Sequence, residues 1–253
     1  MSVPQGTITP SSVVFNAGIC NENLTLTSSG TYGITTSATI GGIVHTGTSP
    51  VTVSSGAFDH FKVACNSVQT VGTPFTITVY AVDRDNNNVT DYSGTIVLTE
   101  STHTLSPTSV NLINGKGTSS ITLTKTSSSV IFTASGNGKT GTSGSINVNP
   151  GAVYSFTITG YPTTPVTAGT KFTSDVIVTA YDYYGNIKTD FSGNVVWSTQ
   201  PLNGSTKLPS SPTIKANGQY TFSGKDFILI KGKWRIQVTS GTAIGQSNLI
   251  TVN

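Results

Sequence analysis

The sequence predicts an all-β protein made of tandem two-sheet β-sandwiches, with a partial sandwich at the N-terminal end. The first observation behind this is an internal repeat, in which residues 56–61 (GAFDHF) are answered by 151–156 (GAVYSF) and 91–94 (DYSG) by 190–193 (DFSG). The two copies lie about 100 residues apart, which suits one small sandwich domain per copy. The second observation is that apolar residues alternate along many short segments, and no stretch shows sustained helical periodicity.

The repeat divides the chain into three predicted domains. Each full copy closes on a similar segment, 146–149 (INVN) or 250–253 (ITVN), so we place the first copy at 57–149 and the second copy at 150–253. Residues 1–56, here called the head, align with the second half of a copy. Within the head, residues 10–18 parallel 107–115, residues 31–34 parallel 129–132, and residues 51–56 parallel the closing strand of a copy. We therefore expect the head to hold the last three strands of a sandwich and to lack the first four. Half a sandwich cannot bury its own core, which favours assembly with another chain.

The strands of the first copy begin with residues 75–81 (FTITVYA), where every second residue is apolar. In the next strand Ile96 and Leu98 share one face, as Val195 and Trp197 do in the second copy, and we expect that face to be buried. Tight hairpins are predicted where positive φ suits the residues, at Asn114-Gly115 and Asn217-Gly218. The remaining predicted strands cover residues 121–123, 130–134 and 234–238.

Composition excludes two broad classes of function. Charged residues make up 9% of the chain, against about 25% in typical globular proteins. The net charge of +3 is too small and too scattered for a nucleic-acid binder, which needs a basic stripe to neutralise phosphates. The longest apolar run is residues 227–230 (FILI), far short of the roughly 20 residues of a membrane-spanning helix.

Residues 72–79 (GTPFTITV), 81–83 (AVD) and 90–95 (TDYSGT), with their counterparts in the second copy, resemble a known type of repeat. They are similar to the tandem immunoglobulin-like repeats of prokaryotic surface proteins, including invasin and intimin, S-layer proteins and large adhesins. The resemblance covers residues 57–253 well and the head in part. It implies immunoglobulin-like sandwiches and an extracellular location at the cell surface. Such modules serve as spacers, filament subunits, lattice pieces and ligand-binding tips, so the fold alone does not define a function.

The sequence offers no evident catalytic group, so we expect a protein that is not an enzyme and needs no cofactor. The three histidines, His45, His60 and His103, lie in different regions, without the spacing of a metal site or a triad. The only glutamates are Glu22 and Glu100, and no pair of carboxylates is arranged for acid–base chemistry.

One segment has the composition of a cation site. Asp83, Asp85 and Asn87, with Asp91 beyond them, place oxygen-bearing side chains at alternate positions, as in loops that wrap Ca²⁺. The alternative is a polar turn, in which Asp and Asn bond to their own backbone. The second copy keeps only Asp182 and Asp190 at the ends of this loop and has Tyr183, Tyr184 and Gly185 between them. Because that loop is expected to fold without the extra ligands, we favour the polar turn.

Other residues are candidates for modification or binding. Cys20 and Cys65 are the only cysteines; we expect either free buried thiols or a disulfide to a neighbouring chain, because the predicted strands place the two far apart. Three sequons are candidate glycosylation sites, at Asn23, Asn88 and Asn203. An aromatic loop that contains Tyr181, Tyr183 and Tyr184 is the candidate ligand loop, for a glycan or a protein.

These observations favour a non-enzymatic structural protein of the cell surface, whose partners are copies of itself or other surface proteins. The predicted mechanism is head-to-tail joining, in which a neighbouring subunit supplies the strands that the head lacks. Two alternatives remain. The chain would be an excised fragment of a large adhesin, or it would be the glycan- or receptor-binding module of an adhesin or viral fibre.

Overall fold

The computed structural model describes residues 8–202, 204–210, 213–214 and 217–253. Within these ranges every regular element is a β-strand, apart from one 3-10 turn at Gly224–Asp226. The all-β prediction is therefore confirmed. The chain forms two compact units, of which the first contains the described part of Met1–Ser67, Phe75–Ile121 and Val130–Ser145. The second contains Val68–Pro74, Thr122–Ser129 and the described part of Ile146–Asn253.

The described part of the head, residues 8–56, contains four strands rather than the expected three. Strands β1 (Ile8–Thr9) and β2 (Thr25–Leu26) form a short antiparallel pair. Strands β3 (Gly30–Ile40) and β4 (Ile43–Val53) form a long antiparallel hairpin of their own, which we call the head hairpin. Its paired strands are 11 residues each and keep one register throughout. The structure therefore shows a hairpin in the head, and the half of an immunoglobulin-like sandwich that the sequence predicted there stays a prediction.

Residues 10–18, which the sequence aligned with a strand of the first copy, form no strand. A tight turn interrupts them, because Ala17 and Gly18 adopt φ of 49° and 80°. Around this turn Asn16 and Ile19 exchange backbone hydrogen bonds of 2.9 and 3.0 Å. Residues 51–53, expected in a separate closing strand, continue β4 instead.

The first copy contributes ten strands in three small sheets. They are β5 (His60–Ala64), β6 (Val68–Thr70), β7 (Phe75–Val82), β8 (Gly94–Glu100), β9 (Ser109–Leu112), β10 (Lys116–Ile121), β11 (Ser127–Val130), β12 (Phe132–Gly136), β13 (Lys139–Thr142) and β14 (Ile146–Asn149). The sheet orders are β10-β7-β5, β13-β12-β8-β9 and β11-β14-β6. All neighbours are antiparallel in the first two sheets, whereas β14 pairs with β6 in parallel.

Alternation along β7 and β8 places apolar side chains in the core of the first unit. Ile96 and Leu98 of β8 are fully buried, as the sequence predicted, while Val97 between them is exposed. Ile77 and Val79 of β7 are buried in the same way. The predicted hairpin between β9 and β10 also forms, with φ of 52° at Asn114 and 74° at Gly115.

The second copy contributes strands β15 to β23. They are β15 (Val153–Thr159), β16 (Val176–Asp182), β17 (Gly193–Asn194), β18 (Val196–Gln200), β19 (Thr213–Ile214), β20 (Gln219–Phe222), β21 (Gly232–Ser240), β22 (Ala243–Gln246) and β23 (Ile250–Val252). Most of these strands form two groups. One group has the order β15-β16-β20, and the other has the order β18-β21-β22 with β23 beside β21. The single pair Ser155↔Ile244 joins β15 of the first group to β22 of the second. Their inner faces share one core, which includes Phe156, Val178, Trp197 and Trp234.

Candidate functional site

The loop that follows β7 is organised by one buried carboxylate. Asp83 is only 4% exposed and accepts hydrogen bonds from three backbone N–H groups. The donors are Gly56 at 2.7 Å, Asp85 at 3.0 Å and Asn87 at 2.8 Å. The bonds from Asp85 and Asn87 fix the conformation of the loop, as in an Asx turn, and the bond from Gly56 ties the loop to the segment before β5.

The Asn87 side chain connects this loop to the turn that precedes β3. Its Nδ2 donates to Asp83 Oδ2 at 2.9 Å and to the Thr27 carbonyl oxygen at 3.0 Å. Its Oδ1 accepts from the Ser29 N–H at 2.8 Å. Both polar ends of the amide therefore bind the backbone of the head, in the way that a neighbouring β-strand would.

The second copy repeats this arrangement. Asp182 is 1% exposed and accepts from the N–H groups of Gly151 at 3.0 Å, Tyr184 at 2.9 Å and Asn186 at 2.9 Å. The loop that it organises, residues 182–186, follows β16 as residues 83–87 follow β7.

Asn186 plays the role of Asn87. Its Nδ2 donates to Asp182 Oδ2 at 3.0 Å and to the Thr124 carbonyl at 3.0 Å, and its Oδ1 accepts from the Thr126 N–H at 3.2 Å. We call each Asp and Asn pair, with the backbone groups it binds, an Asp–Asn clasp. Neither clasp was predicted from the sequence, although Asp-x-x-x-Asn occurs at matching positions in the two copies.

Electrostatics favour the ionised form of Asp83. Burial raises the pKa of its carboxyl group, but hydrogen bonds from the Asn87 side chain and from the N–H groups of Gly56, Asn87 and Asp85 lower it, and the net shift is downward. Donors that stabilise the charged form thus outweigh desolvation.

The lowered pKa of Asp83 predicts a loss of stability in acid. A carboxylate whose pKa is depressed by folding contributes stability that is complete above its ordinary pKa of about 3.9, and that contribution disappears as the pH falls through the folded-state pKa. We expect urea unfolding midpoints measured from pH 7 to pH 2 to fall less steeply in acid for Asp83→Asn than for the wild type. Equal slopes for the two proteins would contradict this assignment.

The residues proposed as calcium ligands do not all meet. Asp85 and Asp91 are exposed, while Asp83 is surrounded by N–H donors that a cation would have to replace. Within the described ranges, no group of three His, Cys, Asp or Glu side chains is arranged to hold a metal ion. The Asp83 carboxylate acts here as the acceptor of a polar turn, and calcium binding stays a prediction.

The candidate ligand loop supplies two of its three tyrosines to a groove. Tyr183 and Tyr184 line it together with Tyr154 of β15, whereas Tyr181 is half-buried and does not. The rings of Tyr154 and Tyr183 lie 5.0 Å apart edge to face, and those of Tyr183 and Tyr184 lie 5.2 Å apart. Tyr154 was not foreseen at this site, since it lies on a strand far from the loop in sequence.

Both cysteines are free thiols in the chain as folded, and both are half-buried. Cys20 lines a cavity of about 190 Å³ beside Phe15 and Ile34. Burial raises the pKa of Cys65, which reduces the thiolate available for reaction at neutral pH.

The three candidate glycosylation sites differ in exposure. Asn23 is exposed, whereas Asn88 is half-buried. Asn203 lies outside the described residues.

The buried glutamate has a structural role. Glu100 accepts backbone hydrogen bonds from Thr102, from Thr104 at 2.5 Å and from Leu105 at 3.2 Å. It thereby closes the turn after β8, and its oxygens are occupied by the N–H groups of that turn.

Comparisons with known proteins find similarity to solved structures. No family model matches the sequence, and no curated protein matches it. Among solved structures, the adhesin InvE of Yersinia pseudotuberculosis aligns with a TM-score of 0.35 and 17% identity over 76% of this chain and 58% of that chain. Domains 5–6 of the S-layer protein SbsC align with a TM-score of 0.27 and 19% identity over 78% of this chain and 97% of that chain.

A third match is a C-terminal fragment of intimin in complex with the intimin-binding domain of its translocated receptor. It gives a TM-score of 0.30 and 15% identity over 78% of this chain and 65% of that fragment. A β-glycosidase from Bacteroides vulgatus matches at a similar level, with a TM-score of 0.31, 12% identity and 25% of its chain covered. The matches include the adhesin and S-layer classes that the sequence resembles. At these identities and TM-scores, no activity, ligand or partner carries over to this chain.

No helix among the described residues has the length and apolar character needed to cross a membrane.

Proposed function

We propose that this chain is a non-enzymatic structural protein of the extracellular cell surface. In this proposal, copies join head-to-tail by strand complementation of residues 1–56, to form a filament or an S-layer-like assembly. The location at the cell surface rests on the resemblance in sequence to repeats of surface proteins, and the low charge with many hydroxyl side chains agrees with it.

The head hairpin is the observation that carries the proposal. Strands β3 and β4 pair with each other, and within the described part of the chain neither is paired with a third strand. Two-stranded hairpins are marginal in water, and three or more strands are normally needed for independent stability. The outer edge of each strand is thus a place where another strand would add to the sheet.

The two faces of the head hairpin differ in character. One face carries hydroxyl pairs across the strands, such as Thr35 and Thr48, whose Oγ1 atoms are 2.9 Å apart. The other face is apolar near the turn, where Ile40 and Ile43 are directly opposite and exposed. An exposed apolar face beside an open strand edge favours burial in an assembly.

A second copy of the chain is the partner that fits these edges. Neither β3 nor β4 contains Lys, Arg, Asp or Glu, the charged residues with which natural proteins often protect an exposed edge. Pro50 removes one outward N–H from the edge of β4 and leaves the other outward groups of that strand in place. Pairing through the backbone depends little on sequence, and every copy presents the same open edges. A contact between different surfaces of two copies does not close as a two-fold dimer, and unless its rotation closes a ring it propagates into a filament or sheet.

The register of the hairpin allows a selective test. Gly41 and Gly42 form a two-residue turn with φ of 59° and 82°, so hydrogen-bonded and non-hydrogen-bonded pairs alternate from Ile40↔Ile43 outward. Ser37↔Thr46 is a non-hydrogen-bonded pair, whose N–H groups point away from the hairpin. Proline at these positions removes an outward donor and leaves the bonds within the hairpin intact.

We expect the double variant Ser37→Pro, Thr46→Pro to be monomeric where the wild type forms filaments or sheets. Negative-stain electron microscopy and sedimentation velocity of the full chain measure this directly. The matched control, Ser37→Ala with Thr46→Ala, keeps both N–H groups and should assemble as the wild type does. A wild type that stays monomeric, or a proline variant that still assembles, would overturn strand complementation.

The same samples, with and without reductant, test the proposed disulfide between chains. If Cys20 and Cys65 join neighbouring copies, a ladder of oligomers appears on a non-reducing gel and disappears with reductant. A single band under both conditions would leave the two cysteines as free thiols.

A further inference from the structure

The groove beside the second clasp has the features of a binding site. It has a volume of about 320 Å³ and is lined by residues 70–73 and 151–153 and by Tyr154, Tyr183 and Tyr184. All of these residues belong to the second unit. The volume falls at the lower end of the roughly 300–1,000 Å³ that is typical of small-molecule sites.

The three tyrosines leave much of their ring surface in water. Tyr154 is 58% exposed, Tyr183 is 69% exposed and Tyr184 is 46% exposed. Edge-to-face contacts between neighbouring rings cover part of the ring surface, and the exposed remainder is available to a ligand. Single exposed aromatic residues are common, whereas a cluster of three around a groove marks a surface that gains stability when it is covered.

The groove is largely formed before any ligand binds. The Tyr184 N–H is held by Asp182 Oδ1 at 2.9 Å, which fixes the backbone between the two tyrosines. The ring of Tyr184 rests on Gly72, where an added Cβ would lie 2.5 Å from Cε2. A fixed ring loses little side-chain freedom on binding, so its contact surface contributes more to affinity.

We propose that this groove binds a neutral carbohydrate. None of the residues that line it is charged, so it has no feature that would neutralise a phosphate, a carboxylate or an amine. The electron-rich faces of the aromatic rings suit the weakly positive C–H groups of a sugar ring. The phenol hydroxyls, with those of Thr70 and Thr73, supply hydrogen-bond partners for the sugar hydroxyls.

The first copy shows that the fold does not require these tyrosines. Its corresponding loop places Arg84 and Asp85 where the second copy has Tyr183 and Tyr184, between an Asp and an Asn that make the same hydrogen bonds. Residue 59, which corresponds to Tyr154, is an aspartate. The tyrosine cluster is therefore specific to the second copy, and it is independent of the proposed assembly through the head.

This correspondence provides a matched variant. Tyr183→Arg with Tyr184→Asp gives the second loop the residues that the first loop already carries, so the turn and its clasp are retained while the aromatic surface is lost. The full-length wild type and this variant are applied to an array of neutral and acidic glycans, and hits are measured by calorimetry with the free oligosaccharide. Arg84→Ala with Asp85→Ala, in the corresponding loop of the first copy, is the control.

The expected result is binding of neutral glycans by the wild type and the control, and at least a tenfold loss of affinity in the double-tyrosine variant with an unchanged melting temperature. Equal binding by all three proteins would place the sugar elsewhere and overturn the inference. Binding of acidic glycans alone would overturn the chemical class. No binding to any glycan on the array would overturn the site.

Discussion

Gly141→Ala is expected to lower the free energy of unfolding by about 3 kcal/mol or more. Gly141 of β13 faces the backbone of β5, and an added Cβ would overlap the carbonyl group of Phe61. The added Cβ is bonded directly to the backbone of β13, and the carbonyl group is part of the backbone of β5. Neither can rotate away as the end of a flexible side chain would. The second copy has the same close approach, where a Cβ on Gly245 would lie 2.5 Å from the Phe156 carbonyl oxygen.

Urea unfolding followed by circular dichroism measures this effect, and the chain contains its own control. Gly144 is three positions further along, where an added Cβ meets nothing within 4 Å. Gly144→Ala should therefore change the unfolding midpoint little. Similar midpoints for the two variants would show that β5 and β13 can move apart with little loss of folding free energy. That result would contradict the expected effect of the close approach between Gly141 and the Phe61 carbonyl group.

Asp182→Asn is expected to cost about 2–4 kcal/mol of folding free energy. The two substituents are nearly the same size, so the effect isolates hydrogen bonding. Asp182 Oδ2 accepts from Gly151 and from the Asn186 amide, and Oδ1 accepts from Tyr184 and Asn186. Whichever way the new amide turns, its NH₂ group faces N–H donors, which are left unsatisfied in a buried site.

The control for this substitution is Asp190→Asn. Asp190 pairs with Lys188 at 2.7 Å, but its side chain is 58% exposed, and exposed ion pairs contribute roughly 0–1 kcal/mol. Thermal unfolding should therefore show a clear shift for Asp182→Asn and almost none for Asp190→Asn. A shift of the same size in both would mean that the clasp contributes no more than a surface charge does.

The parts of this structure that follow from local sequence were predictable. Alternation placed Ile96 and Leu98 inside, because a strand turns successive side chains to opposite faces. Asn114-Gly115 marked a hairpin, because few other pairs adopt positive φ at both positions without strain. These features depend on neighbours within a few residues, so a single sequence is enough to reveal them.

The clasps could not be predicted from local sequence, because their partners are distant along the chain. Asn87 binds Thr27, 60 residues away, and Asn186 binds Thr124, 62 residues away. The partners are backbone groups, which every residue carries, so no pair of side-chain types marks the contact. The sequence predicted Tyr183 and Tyr184 at the groove but not Tyr154, for a related reason: Tyr154 lies on β15, far from the loop in sequence.

The head was the least predictable part. Its strands are rich in Thr and Gly rather than in large apolar residues, so hydrophobic alternation gives a weak signal there and specifies pairing poorly. The sequence indicated extended chain near residues 31–34 and 51–56. The long continuous register of the head hairpin depends on the Gly41-Gly42 turn, which the repeat comparison did not single out.

The clasp also bears on how such a chain can change over evolutionary time. Each Asn amide recognises a carbonyl and an N–H two positions apart, and the side chains there differ between the two sites, Thr27-Ser28-Ser29 and Thr124-Lys125-Thr126. Substitutions that leave the backbone path of the turn intact therefore leave its connection intact. A gene built this way can duplicate or recombine its repeats and diversify their surfaces, without needing compensating mutations in the neighbouring repeat.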